Sequence, residues 1–117
     1  MNREEDILQS KMVIWYYSQY GRTHDKCLFH INNKAKNAIE GNRMKAMGVK
    51  TGVSDLALVT SSGTIYIEVK TPTGTQSKDQ KEFQQQVESL GQKYFIVRSL
   101  EEFKIIVKNN LEFFYVR

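Results

Sequence analysis

Cysteine, proline and long apolar runs are scarce in this sequence, and each shortage excludes something. A single cysteine, Cys27, rules out an intrachain disulfide and a cysteine-based zinc site. One proline, set against 40% hydrophobic and 26% charged residues, is the composition of a folded chain. Disordered, collagen-like and low-complexity structures are thereby excluded. No stretch approaches the roughly 18 consecutive apolar residues of a membrane span. The opening MNREEDILQSK places acidic residues where a signal peptide needs an apolar run. These absences lead us to expect a soluble protein in the reducing interior of a cell. At 117 residues the chain suits one domain spanning 1–117, long enough to bury a real core. Acid excess is missing too: Lys+Arg 17 against Asp+Glu 13 gives a formal net charge of +4. That balance, with a pI near 9.2, permits a nucleic-acid partner without proving one.

The apolar pattern predicts a mixed α/β chain. Residues 4–20 read as a helix in which Ile7, Leu8, Ile14, Trp15 and Tyr17 form an apolar stripe, with Gly21 as a stop. Residues 27–31 fit a short strand. Residues 32–52 read as a long polar connection holding Lys34, Lys36, Arg43, Lys45 and Lys50 against the single acid Glu40. A basic connection of that length in a small domain is usually functional or mobile. Two strands follow, 55–60 and 64–70, joined by a turn at 61–63. Residues 71–76 form a loop with Pro72 and Gly74. Ser77 and Gln80 then make a capping-box pattern that opens a helix carrying Phe83, Val87 and Leu90 on one face and closing at Gly91. A strand over 94–98 precedes a second box, Ser99 and Glu102, opening a helix with Leu100, Phe103, Ile106 and Val107 inward. Residues 111–116 read as a final strand.

Chemistry concentrates at one end of the predicted hairpin. Asp55 begins one strand, and Glu68 and Lys70 end the other, so the turn brings three charged groups side by side. Alternation puts Tyr66, Glu68 and Lys70 on one face and Ile65, Ile67 and Val69 on the other. Two carboxylates at one point suit a hard cation such as Mg²⁺, which takes oxygen ligands and keeps waters for a phosphate substrate. A lysine beside them can meet a metal-bound water or a phosphate oxygen. Lewis acid, activated water and charge neutralisation are the equipment for attacking a phosphodiester. An isolated E-x-K on a strand is more often a solvated face. The pairing of acids across a hairpin, flanked by a basic connection, distinguishes this one.

Several motifs in one order resemble the PD-(D/E)xK nucleases, and more narrowly the VRR-NUC (virus-type replication-repair nuclease) domains. Glu5 and Gln9 fit that family's opening E-x-x-x-Q, and His30-Ile31-Asn32-Asn33 its H-x-P-N. Lys45-Ala46-Met47-Gly48 precedes Gly52-Val53-Ser54-Asp55, which is similar to the family's G-x-P-D. Glu68-Val69-Lys70, Gly74, Ser77 and Gln80 fit its E-x-K…G…S-x-x-Q run. Asn32 and Ser54 stand where the family has prolines, and the second departure implies looser positioning of Asp55. The resemblance implies an α/β fold with a restriction-endonuclease-like core, a mixed central sheet flanked by helices. It also implies roles. Asp55, Glu68 and the carbonyl of Val69 would hold Mg²⁺ or Mn²⁺, and Lys70 would orient or activate the attacking water. Glu5 would approach through a metal-bound water or a second cation. Gln80 would support Lys70 or contact DNA, although the capping box alone accounts for a glutamine there. His30 is either a site-wall or DNA contact or a satisfied core histidine. Asn33, Lys34, Lys36, Arg43, Lys45 and Lys50 would contact DNA, or the lysines and arginine are a solvated face. Trp15, Tyr16 and Tyr17 read as packing residues.

The expected activity is metal-dependent endonucleolytic hydrolysis of DNA. Small stand-alone members from phages or bacteria are similar to Holliday-junction resolvases, so the resemblance further implies branched DNA, a homodimer and a cytoplasmic location in a bacterial or phage-infected cell. Two rivals remain: an inactive nucleic-acid-binding module with the same fold, and a plain α/β interaction domain whose acids lie on the surface.

Overall fold

The computed structural model describes residues 3–115 in backbone and residues 3–111 in side-chain detail. Four strands form one sheet in the order β1-β2-β3-β4: Leu28–His30, Leu56–Thr60, Gly63–Val69 and Lys93–Val97. The first three pair antiparallel and β4 joins β3 in parallel. Helices α1 (Arg3–His24) and α4 (Leu100–Tyr115) pack against one face. Helix α3 (Lys78–Ser89) covers the other, where Phe83 meets Tyr66 and Tyr94 edge-on. A turn of 3-10 helix at Asp25–Cys27 leads from α1 into β1.

The core follows from alternation. Leu28, Leu56, Leu58, Ile65, Ile67, Val69 and Val97 point one way and meet Met12, Tyr16 and Tyr20 of α1 and Phe103, Val107 and Leu111 of α4. Trp15 completes this layer, edge-on to Tyr20 and Phe103. Water is excluded from the whole of that interface. The opposite face of the same strands carries Asp55, Ala57, Tyr66 and Glu68, since Asp55 precedes the Leu56↔Ile67 pair and so stands level with Glu68. The hairpin therefore brings the two acids together.

Several elements differ from the sequence expectation. Helix α1 runs through Gly21 to His24, and its buried face is Met12, Tyr16 and Tyr20. Ile7, Ile14 and Tyr17 of the expected apolar stripe are exposed, Ile14 by 69%. Every position from Met12 to Tyr17 is apolar or aromatic, a run that goes all the way round the helix, so the pattern alone does not choose the face. The connection 32–52 contains a helix, α2 (Ala38–Ala46), capped by the Asn37 side chain on the Glu40 amide. It has no buried residue, so no apolar stripe announced it. The hairpin loop has two residues, with Gly63 already in β3 at φ +118°. Leu90, expected on the inward face of α3, is its exposed C-cap. The final strand expected over 111–116 is instead the last turns of α4, which keeps Leu111 in the core; Val116 and Arg117 lie outside the described residues.

The loop entering β2 is stitched to the first turn of α3. Thr51 donates its hydroxyl to Asp79 at 2.8 Å. Gly52 sits at φ +85°, and a Cβ there would come within 2.5 Å of the Asp79 backbone. No other residue combines that conformation with that approach. Gly52→Ala is therefore expected to cost about 1–3 kcal/mol of stability, measured by thermal or urea unfolding; an unchanged midpoint would show that the loop is not tied to α3.

Candidate active site

A cavity of about 330 Å³ opens at the end of the sheet where β2 starts and β3 finishes. Glu5, Asp55, Glu68, Lys70 and Gln80 all line it, arriving from α1, the start of β2, the end of β3 and α3. Backbone hydrogen bonds fix Asp55 from both sides. Its carboxylate accepts the Val69 amide at 2.8 Å. Its carbonyl accepts the Ile31 amide at 2.9 Å and His30 Nδ1 at 2.8 Å, extending the β1–β2 ladder by one residue. Ser54 is fully buried and donates its hydroxyl to the Leu56 carbonyl. With serine in place of the family's proline, Asp55 is held by these hydrogen bonds and not by a proline ring.

Glu68 is 2% exposed. One carboxylate oxygen, Oε2, accepts Gln80 Nε2 at 2.9 Å and lies 3.7 Å from the Lys70 ammonium. The other, Oε1, is buried with no hydrogen-bond partner. A buried acceptor left unmatched is costly unless something else engages it. Desolvation, reinforced by the Asp55 carboxylate and more weakly by Glu5, pushes the Glu68 carboxyl up to about 8; Lys70 opposes the shift. The arrangement is short of positive charge.

Gln80 makes the capping box that the sequence offered as one reading, and its free amide bonds Glu68 where a contact to Lys70 or DNA was expected. Its Oε1 accepts the Ser77 amide and its own amide bonds the Ser77 hydroxyl, a complete capping box. The same side chain turns its Nε2 onto Glu68. The helix cap is thus the device that aims the amide. Burial also raises the Tyr94 hydroxyl above its ordinary range; it lies behind the site, bonded to Gln76.

The remaining candidates divide. Asn33 and Lys34 line the cavity. Lys36, Arg43 and Lys45 are exposed on or beside α2, away from the acids, and Lys50 borders two neighbouring hollows. His30 pairs with Leu56, so its side chain leaves the opposite face of the sheet from Asp55. It does not line the cavity; its ring meets the Asp55 carbonyl and the Gln9 amide, 3.1 Å away. Both contacts fall on Nδ1, which donates to the carbonyl when protonated and accepts the Gln9 amide when not, so the two bonds are alternatives. Sequence reading missed Thr51 and Asp79, which line the cavity together with Gly52 of the G-x-P-D-like motif. It missed Arg98 as well, whose guanidinium donates to the carbonyls of Thr71 at 2.8 Å and Gly74 at 2.6 Å and holds the loop between Lys70 and Ser77. A partnership with backbone carbonyls leaves no residue pattern to read.

Among the described residues, no three histidine, cysteine or acidic side chains converge as a ready metal cage. Two do, Asp55 and Glu68, and two carboxylates suit Mg²⁺, which retains waters and completes its shell with substrate oxygens. An unpartnered buried oxygen, a carboxyl raised by a neighbouring carboxylate and a cavity open to solvent fit a divalent cation.

The chain belongs to the VRR-NUC domain family, whose sequence profile it matches over residues 2–101. It is thereby a member of a family of nucleases that are generally dependent on divalent metal. Its fold is that of a solved VRR_NUC domain protein: the two superpose with a TM-score of 0.78 at 21% identity, over 92% of this chain and 88% of that one. No curated protein matches the sequence.

The raised Glu68 carboxyl has a consequence for stability. Between 4.5 and about 8 the folded protein holds a proton that the unfolded chain has released, so stability falls as pH rises through that window. Glu68→Gln removes the titration while keeping the shape. Its melting temperature, scanned by circular dichroism in EDTA, is expected to match that of the wild type near the acid end of the window and to exceed it increasingly toward pH 8. A constant difference across the window would show that Glu68 is not desolvated.

Proposed function

We propose that this protein is a metal-dependent DNA endonuclease, selective for branched DNA and acting as a homodimer. The observation that carries the reading is the Glu68 carboxylate, buried beside Asp55 with one oxygen free and a lysine ammonium 3.7 Å from the other. Asp55, Glu68 and the Val69 carbonyl would hold Mg²⁺ or Mn²⁺. When bound, the cation supplies Lewis acidity and neutralises charge on the scissile phosphate. Lys70, held by its attraction to Glu68, orients the attacking water and meets charge developing on the phosphate. Gln80 keeps Glu68 and Lys70 in register by occupying the carboxylate oxygen on the lysine's side. Glu5, which reaches the cavity from α1, would add its carboxylate at the edge of the cation site, through a water or at a second cation. Asn33 and Lys34 receive the DNA at the cavity rim, and Lys36, Arg43, Lys45 and Lys50 attract the backbone beyond it.

His30 serves this site from behind. Its bond to the Asp55 carbonyl makes it a positioning residue in place of the expected DNA contact. The apolar side chains of Ile7, Ile14 and Tyr17, exposed along α1, supply surface for a twofold contact. Two sites related by such an axis address two strands of a junction. A bacterial or phage-infected cytoplasm would provide both the substrate and the reducing conditions.

The test is cleavage of matched four-way junction, flap, linear duplex and single-stranded DNA with Mg²⁺, Mn²⁺ or EDTA. Cuts that require metal, placed symmetrically across the junction, are expected. Lys70→Ala, run alongside to exclude a contaminating nuclease, is expected to slow them by about 10²–10⁴-fold. Equal rates in Lys70→Ala, or activity that persists in EDTA, would reject the mechanism. Preference for linear duplex would reject the branched substrate alone.

A further inference from the structure

Beyond the site cavity lies a second hollow of about 280 Å³ that shares Asn33 and Val53 with it. Its wall is formed by Ile31, Met47, Val49 and Val53, with Asn32 and Asn33 at the polar margin and Lys50 beside them. Met47, the C-cap of α2, is 75% exposed. A large apolar side chain so open to water is not there to fill the core. The hollow contains no aromatic ring and no acid.

Charge identifies the occupant. Residues 32–52 hold five of the seventeen basic residues and one of the thirteen acidic ones. The rest of the chain therefore carries twelve of each, and the entire formal net charge of +4 resides in this arm. Its one acid, Glu40, is turned onto the Lys36 amide. The ligand of this surface is a polyanion. It is also one with an apolar, flat component, because phosphate alone gains nothing from isoleucine, valine and methionine.

We infer that this hollow receives one base unstacked from the strand whose backbone lies in the adjacent cavity. This rests on the nuclease reading for the identity of that backbone, and it names what would make a substrate preferred: an unpaired nucleotide next to the phosphate being cut. A paired base must first be pulled from its stack at a cost of a few kcal/mol, whereas a base at a branch, flap or bulge is already free. Met47 wedges against the exposed face of the base, as isoleucine and methionine side chains do when inserted between base steps. Asn32 and Asn33 offer amides to its edge, and Lys50 meets its phosphate.

The experiment uses the full chain in EDTA, so that cleavage does not intrude, and a duplex with one unpaired 2-aminopurine compared with the same duplex fully paired. Unstacking into a hollow without aromatic side chains raises the fluorescence. The unpaired probe is expected to brighten on binding and to bind more tightly than the paired duplex by roughly five- to tenfold. Met47→Ser is expected to abolish both effects while leaving affinity for paired duplex unchanged, and Met47→Leu to restore them. A bound probe that stays dark, equal brightening in Met47→Ser, or no DNA binding would each overturn the inference. So would a wild-type dimer that Met47→Ser converts to monomer in sedimentation with no fluorescence change, since the hollow would then be a subunit contact. Brightening that depends on Met47 in a protein that never cleaves with Mg²⁺ or Mn²⁺ would uphold the hollow and reject the nuclease chemistry.

Discussion

A carboxylate that is 98% shielded from water sets the terms for everything around it. Glu68 stands in β3 because β3 is the strand between two others, paired antiparallel with β2 and parallel with β4. A central strand is the least exposed place in a sheet, and its end is where ligands reach backbone and side chains together. Burial raises the proton affinity of the group, Asp55 raises it further, and Lys70 compensates only in part. Without an added cation the cluster sheds the excess by keeping a proton on Glu68 up to about pH 8. The protein tolerates this because three hydrogen-bonding devices leave the acids nowhere to retreat: the Val69 amide on Asp55, the Gln80 amide on Glu68, and the doubled bonds on the Asp55 carbonyl.

Those devices explain why distant motifs recur around one point. Gln9 on α1 reaches His30, His30 reaches the Asp55 carbonyl, and Asp55 reaches Val69 between the other two charged groups. On the far side, Thr51 and Gly52 are locked to Asp79 in the first turn of α3, whose N-cap geometry aims Gln80. Arg98, past the end of β4, pins the loop from Lys70 to Ser77, where a side chain at Gly74 would crowd the Thr71 hydroxyl. Each element thus contributes one contact to a frame that no single element could hold.

Much of this was legible in the sequence, for definite reasons. The hairpin and its acids were readable because period-two alternation and a serine-glycine turn are local signals, and pairing then fixes which residues meet. The capping box at Ser77 was equally local. What escaped depended on partners remote in sequence. Helix α2 buries nothing, so hydrophobic periodicity had nothing to register. The inward face of α1 is decided by which side chains the sheet accepts, and its apolar residues surround the helix. The end of α4 is a short run rich in aromatic and apolar residues, which passes for a strand until Leu111 is seen docked beside Val107. His30 was readable as a site-wall residue or a core histidine, and its pairing with Leu56 decides which side of the sheet it leaves. A motif preserves the residue and not the direction in which it points.

The distribution of charge separates two tasks that a nuclease must reconcile. A site that gathers carboxylates to hold a cation repels the phosphate it is meant to cut. Here the repulsive group is buried at the sheet end, and the attraction is exported to the arm formed by residues 32–52, which holds the whole positive excess. The arm starts and finishes at the cavity, through Asn33 and Lys34 on one side and Thr51 to Val53 on the other. Long-range attraction therefore delivers a backbone to the place where short-range repulsion is greatest, and a cation bound there would turn that repulsion into coordination. Helix α2 of that arm buries no residue, so its charges stay open to solvent. Fixed acids and an exposed basic arm therefore meet at one cavity, the first placed for the chemistry and the second for the attraction that brings a backbone to it.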